Sequence, residues 1–307
     1  MSALVGGVAV LAAVLAGLIG ANRPDVPTHP ETRPAIRRSP SIASALPATP
    51  PADAGQLATD LNQAQTVIDD PASSSAQLAS AGWFEQLATL ALEHARAYAR
   101  QTTLAALDDQ TGATMRADLA AGVALAGLVT PRKSLPHWKI LAPPSPATLI
   151  DYFRAAQARF GVGWQYLAAI EFIETKFGRV DGLSTAGAEG PMQFLPTTWA
   201  RYGTGDVHNP RDAIFGAARY LVANGAPSDI PGALYHYNPS GDYVNAVKDY
   251  AAVMRDDPRA FFGYYEWQVI YALVRRPVVL PVGYPRVRPV PVPPSNPSVA
   301  LSGAPPK

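Results

Sequence analysis

Two carboxylates stand in the most apolar helical stretch of this 307-residue chain. Glu171 and Glu174 fall between Trp164 and Phe177, where Leu167, Ile170, Ile173 and Phe177 recur at helical spacing. A spacing of i, i+3 puts both acids on one face. Glu174 lies near the helix C-terminus, where the macrodipole disfavours negative charge. Its apolar neighbours also strip water from it. Both effects raise a carboxyl pKa, which suits a general acid working near neutral pH. The same residue also fits a solvated helix edge, or an ion pair with Lys176 or Arg179.

Other chemistries lack their residues. There is no cysteine, which excludes disulfides, cysteine-based zinc sites and a thiol nucleophile. The five histidines show no HExxH or comparable spacing, so no metal is expected. No cofactor is expected. Net charge is +1 and the longest basic runs are pairs such as Arg275-Arg276, so nucleic acid is not an expected partner.

The elements that must position the acids are helical. Gly161-Val162-Gly163 breaks the chain before the Trp164 helix, and Ser145-Pro146 starts another over Ala147 to Phe160. Helical periodicity also marks Leu57 to Ile68, a long run from Leu78 to Leu107, Thr114 to Leu128, Pro196 to Tyr202, Asp212 to Val222 and Tyr243 to Met254. One short edge strand is expected near Val278 to Val282. The fold class is mainly α, with eight to ten helices.

Proline marks where the fold is not. Of 31 prolines, eight lie from Pro24 to Pro51 and ten from Pro277 to Pro306, while all five tryptophans lie between these flanks. Ala3 to Ala21 is 19 residues without a charged side chain, about 28 Å as a helix and near the thickness of a bilayer core. It reads as a membrane anchor or a cleaved signal, and Ile19 at the −3 position favours the anchor. The arginines follow this segment instead of preceding it, opposite to the charge bias that would export the rest. The organisation expected is 1–21 anchor or signal, 22–57 Pro-rich linker, 58–145 helices packing on the catalytic unit, 146–275 catalytic domain, and 276–307 Pro/Val-rich tail. An extended linker of this length reaches roughly 90 Å.

The segments around the acids carry a longer pattern. ETKFGRV (174–180) is followed by LSTAGAEG (183–190) and GPMQFLPTTW (190–199). Farther on stand DAI (212–214), AARYL (217–221), ALYHYN (233–238) and YVNAV (243–247). Taken together, over about residues 164 to 254, this resembles the lytic transglycosylases of the goose-lysozyme-like superfamily. It is most similar to the membrane-bound B-type branch in its compact actinobacterial form. Weaker likeness extends back to about 58 and on to about 285, through YYEWQV (264–269) and LPVGY (280–284).

The resemblance implies a lysozyme-like, goose-type helical domain with an N-terminal helical extension. It implies a substrate, peptidoglycan glycan strands, cleaved between N-acetylmuramic acid and N-acetylglucosamine with formation of 1,6-anhydro ends. Glu174 matches the single catalytic acid/base. Ser184 matches a sugar-contacting hydroxyl and Gln193 a substrate-orienting amide. Tyr237 and Asn238 match a pair that positions the catalytic carboxyl and the N-acetyl group. The site would face the cell wall outside the cytoplasm, held to the membrane through the N-terminal segment. Tyr237-Asn238 is followed by Pro239-Ser240 where the family often has small residues. A retaining or inverting glycosidase normally needs two carboxylates. Asp181 or Glu189 in that second role would make the protein a hydrolytic muramidase. A non-catalytic wall-binding scaffold is the alternative from another class.

Overall fold

The computed structural model describes residues 46–293. The anchor or signal segment at 1–21, most of the 22–57 linker and the end of the tail lie outside the described residues. The described chain is mainly α. Four helices come first: α1 (Ala54–Asp69), α2 (Ser75–His94), α3 (Ala97–Ala106) and α4 (Asp109–Ala126). Then follow β1 (Lys139–Ile140), α5 (Pro146–Phe160), α6 (Trp164–Thr175), β2 (Val180–Asp181) and α7 (Pro196–Tyr202). The chain continues with α8 (Pro210–Ala223), α9 (Ile230–Tyr237), α10 (Gly241–Asp256) and α11 (Ala260–Tyr265). It closes on β3 (Val269–Tyr271), β4 (Val278–Leu280) and β5 (Val290–Pro291). Among the described residues no helix is long and apolar enough to cross a membrane.

Local chemistry sets most helix starts. Asp53, Ser74, Asp108, Ser145, Asn209, Asp229 and Ser240 each cap a helix, the side-chain oxygen accepting from the third backbone N–H. Ser74 and Gln77 complete a reciprocal capping box. Among the described residues eleven helices form, where eight to ten are expected from periodicity. The long run expected over Leu78 to Leu107 breaks at Ala95 and Arg96, both extended. The break lets α3 fold back on α1 and bury Ala99 and Thr103. That gain is tertiary and invisible to helix propensity.

α6 is the central element. Every residue from Leu167 to Thr175 is buried, against α5, α8, α10 and α11. The N-terminal helices meet this core through α4, which runs along α10, and α2, which packs on α11. Buried polar bonds bind the two groups of helices. Tyr264 donates to Asp118, Trp267 Nε1 donates to Glu85 at 3.1 Å, and Gln86 makes two backbone bonds to Gln268 at 2.7 and 2.9 Å.

The C-terminal stretch is more than a tail. β4 pairs antiparallel with β3 (Val269↔Leu280) and with β5 (Val279↔Val290), and the sheet packs Leu280, Tyr271 and Tyr284 on Ile140 and Val180. Residues 276–293 therefore include two strands of the fold; the strand expected at the sheet edge near Val278 to Val282 forms as β4 but lies in the centre of the sheet, between β3 and β5.

Trp267 is fully buried and touches Phe172, Tyr250 and Tyr264. Trp267→Ala is expected to cost about 3–5 kcal/mol, since it opens a cavity and leaves Glu85 without its donor. Denaturant unfolding should remain one transition, with the α1–α4 helices lost together with α5–α11. Separate transitions by circular dichroism and hydrogen exchange would show two independent units.

Candidate active site

The site begins where α6 ends. Lys176 (φ 52°), Phe177 (φ 60°) and Gly178 (φ 79°) are three successive residues in the left-handed region. For two of them this is uncommon and strained. The turn seats Phe177 in the core, against Phe172 and Phe261, and sends the chain into β2, which pairs antiparallel with β1. Thr175 holds it: its hydroxyl donates to the Pro191 carbonyl at 2.6 Å and accepts from Gly178 N–H at 2.9 Å.

Glu174, on the last turn of α6, is fully buried. The Tyr243 hydroxyl on α10 donates to its Oε1 at 2.8 Å. Tyr243 stacks on Tyr237 of α9, with ring planes 3° apart and centroids 6.5 Å apart. Burial and the field of Glu174 push both phenols well above their ordinary range, so both stay protonated donors. Tyr237 in turn donates to the Met192 carbonyl at 2.6 Å. The hydroxyl that reaches the carboxyl therefore belongs to Tyr243, and Tyr237 braces the loop instead.

That loop presents Gln193. A two-way backbone bridge between Glu189 and Phe194, 2.9 Å in each direction, closes it. Gly190 (φ 75°) lies so near the Val207 carbonyl that a Cβ would stand 2.2 Å from its oxygen. Gln193 itself takes φ 50°, and its Nε2 donates to Gly190 O at 2.9 Å and Gly182 O at 3.4 Å. Its buried Oε1 has no partner among the described residues. Ser184 Oγ accepts from Ala186 N–H at 3.2 Å and Ala188 N–H at 3.0 Å. It thus shapes the preceding turn and keeps its own proton to donate. Asn238 ends α9 beside Tyr237 and is nearly buried. Glu174, Tyr237 and Gln193 are thus joined through Tyr243 and Met192. Ser184 joins at one edge through the Gln193–Gly182 bond, and Asn238 stands directly after Tyr237 at the end of α9.

The remaining acids separate clearly. Asp181 pairs with Lys139 at 3.4 Å, and Glu189 faces His208 Nε2 at 3.4 Å. Glu171 is fully buried, neither oxygen has a partner among the described residues, and burial pushes its carboxyl up to about 8. Lys176 is also buried, 3.8 Å above the Phe172 ring and donating to Phe172 O at 3.0 Å. Burial pulls it down to about 7 against the opposing pull of Glu174. Neither pairs as a surface ion pair would, so the apolar surroundings expected for this helix end prevail. Among the described residues no group of three or more His, Asp or Glu is placed to hold a metal. A cleft of about 680 Å³ opens over Gly178, Gly190 and Pro191, and Glu174 is not among its walls.

Sequence reasoning missed the part played by Tyr243, whose motif YVNAV was visible but whose partner was not. The signal available was its place at the N3 position behind Ser240, which aims α10 at the site.

The chain is similar to the membrane-bound lytic murein transglycosylase F of Thiobacillus denitrificans, 31% identical over 121 residues. The match takes in 37% of this chain and 26% of that protein, so it spans about a quarter of the relative's length. No protein-family model and no solved structure matches the chain.

Glu171, Glu85 and Glu93 are all raised by burial, to about 8, 7 and 8. Each keeps its proton in the fold at pH values where the unfolded chain has released it. Their contribution is complete below about pH 4.5 and is lost as pH rises toward 7–8, by up to about 1.4 kcal/mol per pH unit for each. Lys176 acts in the opposite sense only above about pH 7. Calorimetry should therefore show the unfolding temperature falling from pH 5 to 7, and Glu171→Gln should flatten part of that slope. An unchanged slope would mean that Glu171 is ionised in the fold.

Proposed function

We propose that the protein is a peptidoglycan lytic transglycosylase with Glu174 as its single acid/base. The observation that carries this reading is the buried Glu174 carboxyl, oriented by Tyr243 and tied through Tyr237 to the Gln193 loop. Likeness to a lytic murein transglycosylase over 121 residues supports the substrate class. The helical fold around the site agrees with a goose-type lysozyme-like unit over about 146–275, carrying Ser184, Gln193, Tyr237 and Asn238 as substrate-binding residues.

The mechanism uses one carboxyl twice. Protonated Glu174 gives its proton to the glycosidic oxygen as the bond to the muramic acid C1 breaks. The resulting carboxylate, steadied by the Tyr243 hydroxyl, takes the proton of the muramic 6-hydroxyl as that oxygen closes on C1. Glu174 is protonated again and no water is consumed. Burial favours the neutral acid needed first, and the phenol donor favours the carboxylate needed second. Asp181 and Glu189 are engaged with Lys139 and His208, which disfavours either as the water-placing base of a hydrolase. The location proposed is the cell envelope, with the catalytic unit facing the wall and tethered by the N-terminal segment.

Purified peptidoglycan is the test substrate. Glu174→Gln should lower product release by about 10²–10⁴-fold at nearly unchanged unfolding temperature, and mass spectrometry of wild-type digests should show anhydro ends. Reducing ends would instead support a hydrolytic muramidase. Tyr243→Phe removes one hydrogen bond to a charged group, about 1.5–3 kcal/mol, so kcat should fall about 10- to 100-fold with KM little changed.

A further inference from the structure

The charge of this chain is unevenly placed. Overall, 25 Lys and Arg stand against 24 Asp and Glu. Residues 129–141 and 267–293 hold seven of those cations and none of the acids. The structure draws these two distant segments into one β module. Arg132 N–H donates to Ala272 O and accepts Val274 N–H on its own carbonyl, both at 2.9 Å. Gly283 N–H donates to Ile140 O at 2.8 Å, and the Tyr284 hydroxyl donates to Pro136 O at 2.6 Å.

All seven cations are exposed. Arg132 and Lys133 lie beside the β3–β4 turn that carries Arg275 and Arg276, while Lys139, Arg286 and Arg288 lie around the 283–288 turn. Lys139 faces Asp181; Arg275, Arg276, Arg286 and Arg288 form no ion pair among the described residues. Bare apolar side chains are set among them. Val274 is 61% exposed next to Arg275, Val287 48% between Arg286 and Arg288, and Val290 50%. Leu135 and Leu141, 39% and 45% exposed, wall an open groove of about 670 Å³ between residues 135–141 and 283–286. A soluble anionic polymer would be met by cations alone. Cations interleaved with valine and leucine match an anionic bilayer, whose headgroups take the charge while its interface takes the apolar side chains.

We propose that this β module is a membrane-docking surface for anionic lipid, independent of the N-terminal segment and of the catalytic reading. Since β1 pairs with β2 immediately before the Gly182–Ser184 turn, docking would hold the candidate site in a defined orientation to the bilayer.

The absence of cysteine allows a clean test in the full chain. Val287→Cys would be labelled with a polarity-sensitive fluorophore, and Tyr98→Cys, exposed on α3, would serve as the remote control. Vesicles of phosphatidylcholine alone, or with phosphatidylglycerol, would then be titrated. The expected result is a blue shift at position 287 with anionic vesicles only, absent at position 98. It should be weakened at least about tenfold when Arg275, Arg276, Arg286 and Arg288 are changed to Gln in a variant of unchanged circular dichroism. No shift at 287, an equal shift at 98, or undiminished binding by the Gln variant would overturn the proposal. Short-chain polyphosphate giving the same shift at equal phosphate concentration would make the partner an anionic polymer and would overturn it too.

Discussion

The structure depends on burying a carboxyl at the end of an apolar helix. α6 is enclosed from Leu167 to Thr175, so Glu174 has no route to bulk solvent along its own element. A buried carboxylate is tolerable only with a matched donor. Tyr243 supplies it, and Tyr243 in turn must come from a helix lying against α6. That requirement explains why α10 crosses α6 and why α9 ends beside it. It also explains why Tyr237 spends its hydroxyl on the loop that carries Gln193.

The strain in the turn after α6 follows from the same burial. Helical spacing alone would set Phe177 on the face of Ile170 and Ile173, but α6 ends at Thr175. The left-handed run from Lys176 to Gly178 reverses the chain instead, and Thr175 clamps it to Pro191. Lys176 then lies over Phe172 with its ammonium in an apolar place, near Glu174. The helix end thus gathers two acids and one amine; desolvation pushes the Glu171 carboxyl up and the Lys176 ammonium down, the latter against the pull of Glu174. Sites of catalysis commonly collect such shifted groups.

Much of the fold was legible locally. Ser145 announces its helix because a cap is a three-residue event; Asp53, Ser74 and Asp108 carry the same local signal, while periodicity marked their helices only from Leu57, Leu78 and Thr114. α6, α8 and α10 follow from apolar periodicity, and the mainly α class from their sum. The break at Ala95 was not legible, because it is decided by what α3 gains against α1. β1, β2, β3 and β5 were missed because strands of two or three residues give no alternation to read. α9 had its signal in Asp229 and Pro231, whose cap and early proline match a helix start. For the candidate site, Glu174 and Gln193 stand out by motif. Tyr243 does not, since its role requires knowing which helix meets α6.

By itself the sequence determined the helical character, the apolar setting of Glu174 and Glu171, and the order of the segments around them. Those properties reside in neighbours within a few residues. The tertiary structure alone decided that Tyr243 reaches Glu174 across 69 positions. It alone decided that Asp181 and Glu189 turn to Lys139 and His208. It also gathered the cations of two acid-free segments more than a hundred residues apart into one module. Pairings of this kind depend on which surfaces the hydrophobic core brings together, and no local pattern encodes that distance.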